Sequence, residues 1–106
     1  MKRQYRQGDV LLCAVDRILP GAILVPRDDD RVVVAEGELT GHAHAFAAAR
    51  VRMFQEEASL RSSLIIGKGG GRLFHEEHGS ILVPEGLYEL RRQREYTPRA
   101  PRLVRD

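Results

Sequence analysis

Residues 67–88 read GKGGGRLFHEEHGSILVPEGLY, and their punctuation decides the fold class. The glycine-rich run Gly67–Gly71 is a turn that no helix would tolerate. Arg72–His75 and Ile81–Val83 are short apolar-rich segments of strand length, separated by Glu76–Ser80. Pro84-Glu85-Gly86 is a tight turn, and Leu87–Tyr96 is the longest alternating stretch of the chain. Short alternating segments between Gly and Pro signals are the mark of antiparallel β-structure.

The same texture extends towards the N-terminus. Asp9–Val15 is a short apolar run opened by Gly8-Asp9, and Ile18–Pro26 holds a Pro-Gly turn followed by a second run. Arg31–Ala35, His42–Phe46, Val51–Gln55 and Leu60–Ile66 complete the predicted strands, with Glu36–Gly41 expected to bend or bulge. Ala47–Ala49 alone has good helix propensity, and it is too short to hold a helix. The expectation is an all-β chain forming a small antiparallel barrel or sandwich. The whole chain, 1–106, reads as a single β domain, with 97–106 as an extended C-terminal tail.

Composition narrows the function classes. A chain of 106 residues is too short for two stable domains. Its single cysteine, Cys13, cannot form an internal disulfide and reads as a buried small hydrophobe. A net charge of +2 imposes no polyelectrolyte role. No run approaches the roughly 18 apolar residues a membrane helix requires, so a soluble cytoplasmic protein is expected. The C-terminal part is basic: from Leu87 onwards six arginines face three acids, with Tyr88 and Tyr96 interleaved. That pattern suits phosphate contact and stacking on RNA bases. Arg92 and Arg94 fall on one strand face with Tyr88 and Leu90, where each would need a carboxylate partner or a bound anion.

All four histidines lie in two pairs, Gly41-His42-Ala43-His44 and His75-Glu76-Glu77-His78. On a strand, His42 and His44 project to the same face. His75 and His78 can converge where a strand ends in a turn, and Gly79 supplies one. If the two segments are neighbours, four imidazoles meet. Imidazole is the common ligand of divalent transition metals, so His42, His44, His75 and His78 are the candidate ligands. Zinc is the first choice, with iron, manganese or nickel as alternatives. Three histidines leaving a coordination position for water would make a catalytic site. Glu76 or Glu77 would then serve as ligand, orienting acceptor or general base. Arg92 and Arg94 would steady an anionic substrate.

The succession Gln7-Gly8-Asp9-Val10, Gly37–His44, His75–His78, Pro84–Tyr88 and Gln93–Tyr96 resembles an uncharacterised family of short bacterial proteins. That likeness implies that the two histidine pairs belong to one design. A looser likeness is to the cupins, whose two histidines one residue apart after a glycine are matched by Gly41, His42 and His44. Alanines 47–49 stand where the cupin glutamate would be, and Pro84-Glu85-Gly86 follows His75 and His78 rather than preceding a histidine. Two functions are therefore in view. One is a metal-dependent hydrolase acting on an anionic or phosphate-containing substrate. The other is a non-catalytic module with a structural histidine cluster that binds RNA or a protein partner. Exposed sheet edges would allow a homodimer.

Overall fold

The computed structural model describes residues 3–27, 30–36, 42–47, 50–59 and 61–92. Within them lie ten strands: β1 (Gln4–Gln7), β2 (Val10–Ala14), β3 (Ala22–Leu24), β4 (Arg31–Glu36), β5 (Ala43–Ala47), β6 (Val51–Glu56), β7 (Ser62–Ile66), β8 (Gly71–His75), β9 (Gly79–Val83) and β10 (Gly86–Arg92). They form two antiparallel sheets, one of order β1-β2-β10-β7-β6-β3 and one of order β4-β5-β8-β9. The chain is all-β and sandwich-like, as its turn spacing predicts.

The core follows from period-two alternation. Val10 and Leu12 on β2, Phe46 on β5, Val51 on β6, Leu64 on β7, Leu73 on β8 and Val83 on β9 are fully buried between the sheets. Phe46 and Leu73 are cross-strand partners on β5 and β8, which stitches the middle of the small sheet. Burying side chains of this size contributes roughly 1.5–3 kcal/mol each, and these residues fix which face of each strand points inward. Tyr88 packs edge-on against Tyr5, with ring centroids 5.8 Å apart, and donates its hydroxyl hydrogen bond to Pro84 O at 2.8 Å.

Two strands depart from the sequence expectation. β1 has only one apolar residue, Tyr5, and is an edge strand held by its ladder to β2. β3, the opposite edge of the larger sheet, is three residues long and leaves Ile23 and Leu24 exposed. A register shift lies between Val33 and Ala35 in the β4–β5 ladder. The bend expected at 36–41 falls mostly outside the described residues, as do Arg94 and the predicted tail. No helix among the described residues is long and apolar enough to cross a membrane.

Two hairpin turns and the start of a strand converge at one end of the sandwich. The β1–β2 turn is Gly8-Asp9, closed by the Gln7–Val10 pair. The β8–β9 turn runs from His75 to Gly79, which are themselves partners. Between them lies the start of β5, which pairs with β8. Arg92, the last described residue of β10, pairs with Val10 and brings its side chain to the same end.

Candidate metal centre

The histidine pairs, 33 residues apart along the chain, meet at this end. The rings of His44 and His78 are nearly parallel, with centroids 6.0 Å apart. His75 lies at 4.2 Å from His44 and 4.5 Å from His78, tilted 37° to each. His42 stands edge-on to His75 at 5.7 Å. One ligating atom from each of His42, His75 and Glu76 lies within 4.8 Å of the other two. His44 is buried, His42 and His75 are half-buried, and Glu76, Glu77 and His78 are exposed, so the cluster opens to solvent on the β8–β9 turn.

Gln7 organises the interior side. It is only 3% exposed. Its amide nitrogen donates to Leu73 O and to Gly79 O, both at 2.8 Å, which ties β1 to the β8–β9 hairpin. Those two bonds use both N–H groups and settle the amide's orientation. Its oxygen therefore faces His44 Nδ1 at 2.9 Å. An amide oxygen only accepts, so Nδ1 carries the proton and Nε2 is the lone-pair nitrogen whenever His44 is neutral. Burial first, then the charge of His75, push the His44 pKa below its ordinary value; Asp9 pulls it upward, and His78 and Arg92 add smaller downward pushes.

The Nε2 atom of His44 faces Asp9 Oδ1 at 3.4 Å. The other Asp9 oxygen accepts from Arg92 Nη2 at 2.8 Å and from Arg92 Nε at 3.2 Å. Burial alone would raise the Asp9 pKa, but the Arg92 hydrogen bonds and charge outweigh it and hold the carboxyl below its ordinary range. When His44 is neutral, its Nε2 lone pair and an Asp9 carboxylate oxygen point at each other, both as acceptors. Two ligand atoms on a tetrahedral zinc stand about 3.3–3.4 Å apart, given bond lengths of about 2.0–2.1 Å. The donor atoms and their separation fit such an ion.

The outer side is built from the turn itself. His75 Nδ1 accepts the backbone N–H of Glu77 at 3.0 Å and of His78 at 3.2 Å, so the ring caps its own turn. As the acceptor, Nδ1 is unprotonated, and the ring proton of neutral His75 sits on Nε2. Ligation through Nε2 would require that proton to move to Nδ1, at the cost of the two backbone hydrogen bonds Nδ1 accepts. Glu76 Oε1 accepts the backbone N–H of Ala43 at 3.0 Å, joining the turn to the start of β5. That bond, then one to its own backbone N–H, holds the Glu76 pKa below the usual value. Glu76 is thus a fixed anion and a weak base, better suited to ligation than to proton abstraction. Glu77 Oε2 lies 3.6 Å from His42 Nδ1.

Gly8 makes room for this arrangement. Its φ of +59° is the left-handed conformation a two-residue hairpin loop demands. A Cβ there would lie 2.6 Å from His78 Nε2, so glycine also lets the imidazole rest on the turn.

The structure therefore brings together His42, His44, His75, His78, Glu76 and Glu77, and it places Arg92 at the rim. Arg92 meets the carboxylate that its position on the strand calls for. Gln7 and Asp9 belong to the cluster without having been singled out in the sequence. Their signals were a polar residue beside a Gly-Asp turn and the place of Gln7-Gly8-Asp9-Val10 in the succession that resembles the family. The other described arginine of the basic strand, Arg91, is held by Glu89 at 3.0 Å, away from the histidines. Residues 6–93 match the family model described as Domain of unknown function (DUF8820). No curated protein and no solved structure matches the chain. The match covers most of the sequence, and the chain belongs to this family.

Proposed function

We propose that this protein binds one divalent transition metal at the open end of its sandwich and uses it to hydrolyse a small anionic substrate. The observation that carries the reading is the pair of acceptors His44 Nε2 and Asp9 Oδ1, fixed 3.4 Å apart by Gln7 and Arg92. His42, His75 and Glu76 add a second group of donor atoms beside it. Zinc suits the nitrogen-rich set best, with iron, manganese and nickel as competitors. The looser likeness to cupins supports the same reading, since two histidines one residue apart, His42 just before β5 and His44 on it, lie beside a hairpin that carries more.

When bound, the metal would lower the pKa of a coordinated water and polarise the substrate. The chain's own groups would do the rest. Gln7 keeps the His44 proton on Nδ1 and the Nε2 lone pair towards the site. Glu76 supplies fixed negative charge, and Glu77 is the carboxylate placed to take up a proton at the solvent edge. Arg92, with two of its nitrogens on Asp9, retains N–H donors for an anion. Solvent access at His75 and His78 favours turnover over a closed structural site. The alternative, an RNA- or protein-binding module, draws on arginines of which the two described, Arg91 and Arg92, are already bonded to carboxylates.

Elemental analysis of the purified protein tests the proposal. About one metal ion per chain is expected, falling below a tenth in His44→Ala and in His75→Ala. Metal content near zero in the native protein, or unchanged content in both variants, would refute it.

A further inference from the structure

The outward face of the small sheet carries a second feature. On β5, the residues that alternate with His44 and Phe46 are Ala43, Ala45 and Ala47. An outward strand face exposed to water normally bears long polar side chains, and here it is bare. Ala43 and Ala45 are nevertheless only 8% and 5% exposed, so they form the floor of a depression. Ala45 pairs with Phe74 of β8, whose ring, 50% exposed, forms a wall. The resulting cleft has a volume of about 440 Å³ and also meets Asp30 and Arg31 at one end and His75 and Glu76 at the other.

We propose that this cleft binds a small ligand with a ring-sized apolar body and a carboxylate head, the head lying at the His75/Glu76 end. The volume is that of a small-molecule pocket. The alanine floor and Phe74 offer dispersion contact and no hydrogen-bonding side chain along the body of the ligand. Charge chooses the head. A divalent ion beside Glu76 leaves a net positive end, which attracts a carboxylate, whereas Glu76 without the ion repels one. The head assignment rests on the metal reading above. The apolar half rests on the cleft alone, and the ligand class the two halves name is an aryl or branched alkyl carboxylate.

Fluorine NMR titration of the full chain separates the two halves. The probes are 4-fluorotoluene for the body and 4-fluorophenylacetate for body plus head. The neutral probe should bind metal-free and zinc-loaded protein equally, with a dissociation constant on the order of 1 mM for so few atoms. Ala45→Phe should weaken it at least tenfold and leave zinc content unchanged. Ala47→Leu, at the exposed end of the same row, is the second variant should the first fail to fold. 4-Fluorophenylacetate should bind at least tenfold more tightly with zinc present than without. Failure of the neutral probe to bind, or wild-type binding in both variants, overturns the cleft. Equal affinity of the two probes for zinc-loaded protein overturns the carboxylate head. A protein that takes up no zinc, yet loses 4-fluorotoluene in Ala45→Phe, overturns the head and the metal reading together and leaves the apolar site established.

Discussion

Two carboxylates shielded by arginine, Glu89 and Asp9, sit in different parts of this molecule and come to different ends. Glu89 lies on the outward face of the larger sheet. One of its oxygens accepts from Arg61 Nη2 and, at 3.1 Å, from Arg61 Nε. The other accepts from Arg91 at 3.0 and 3.2 Å. Hydrogen bonds from Arg61 first, with burial opposing and Arg91 adding to them, hold its pKa below the ordinary value. Each oxygen has a cation, and the network is closed. Asp9 spends one oxygen on Arg92 and turns the other towards His44 Nε2, an atom with no proton to give when the ring is neutral. A sheltered charge is thus no site by itself. Coordinating capacity left over after the arginine has been satisfied is what distinguishes the sandwich end from the sheet face.

The sharpest way to break this contrast is Gln7→Leu. The substitution preserves volume, but it leaves Leu73 O, Gly79 O and the His44 Nδ1 proton without their partner. Unsatisfied buried groups cost about 1–3 kcal/mol each, so a loss of roughly 3 kcal/mol is expected by denaturant unfolding. In whatever fraction stays folded, metal affinity should fall about 10–100-fold, the usual consequence of removing the group that orients a ligating histidine. An unfolding free energy within 1 kcal/mol of wild type would mean that Gln7 neither bolts the hairpin nor holds the ring.

The matching change in the closed network is Glu89→Gln. Arg61 and Arg91 are 53% and 59% exposed and can turn to water, so solvent screening keeps the loss to about 1 kcal/mol. Metal content should not move. A metal deficit in Glu89→Gln would erase the distinction between the two carboxylates.

How much of this could be read in the sequence depends on whether a feature is local. The strands β2 and β4 to β10 announce themselves by β-branched or alternating residues between turn signals. The edge strand Gln4–Gln7 does not, because one tyrosine among three polar residues carries no period, and the ladder from β2 makes it a strand. The two histidine pairs were legible for a local reason also, the i, i+2 spacing and the turn at Gly79. Gln7 was not, since its carbonyl partners lie 66 and 72 residues away and no local pattern encodes them. The alanine row failed for another reason. Ala47–Ala49 reads as helix-prone on propensity, while what matters in Ala43, Ala45 and Ala47 is the missing bulk on one face of a strand. Only the position of Phe74 across the ladder turns that into a cleft.

Acid titration separates the two regions by pH, and its effect is the smallest of the three. In metal-free protein kept in chelator, His44 has a folded pKa below its ordinary 6.5. The unfolded chain therefore takes up the proton first as pH falls. Stability from this group is complete above about 6.5 and is lost as pH drops through the lower folded value. Glu89 follows the same sign in a lower window, its contribution present above its ordinary 4.5 and lost below it as the arginine-held carboxylate is finally protonated. The expected profile of unfolding free energy against pH has a first decline starting near 6.5 and a second starting near 4.5. His44→Gln should remove the first and spare the second, and Glu89→Gln should spare the first and shrink the second to the part that Asp9 and Glu76 contribute. If His44→Gln left the first decline in place, the buried ring would not be the group that titrates there, and the neutral lone pair facing Asp9 would lose its basis.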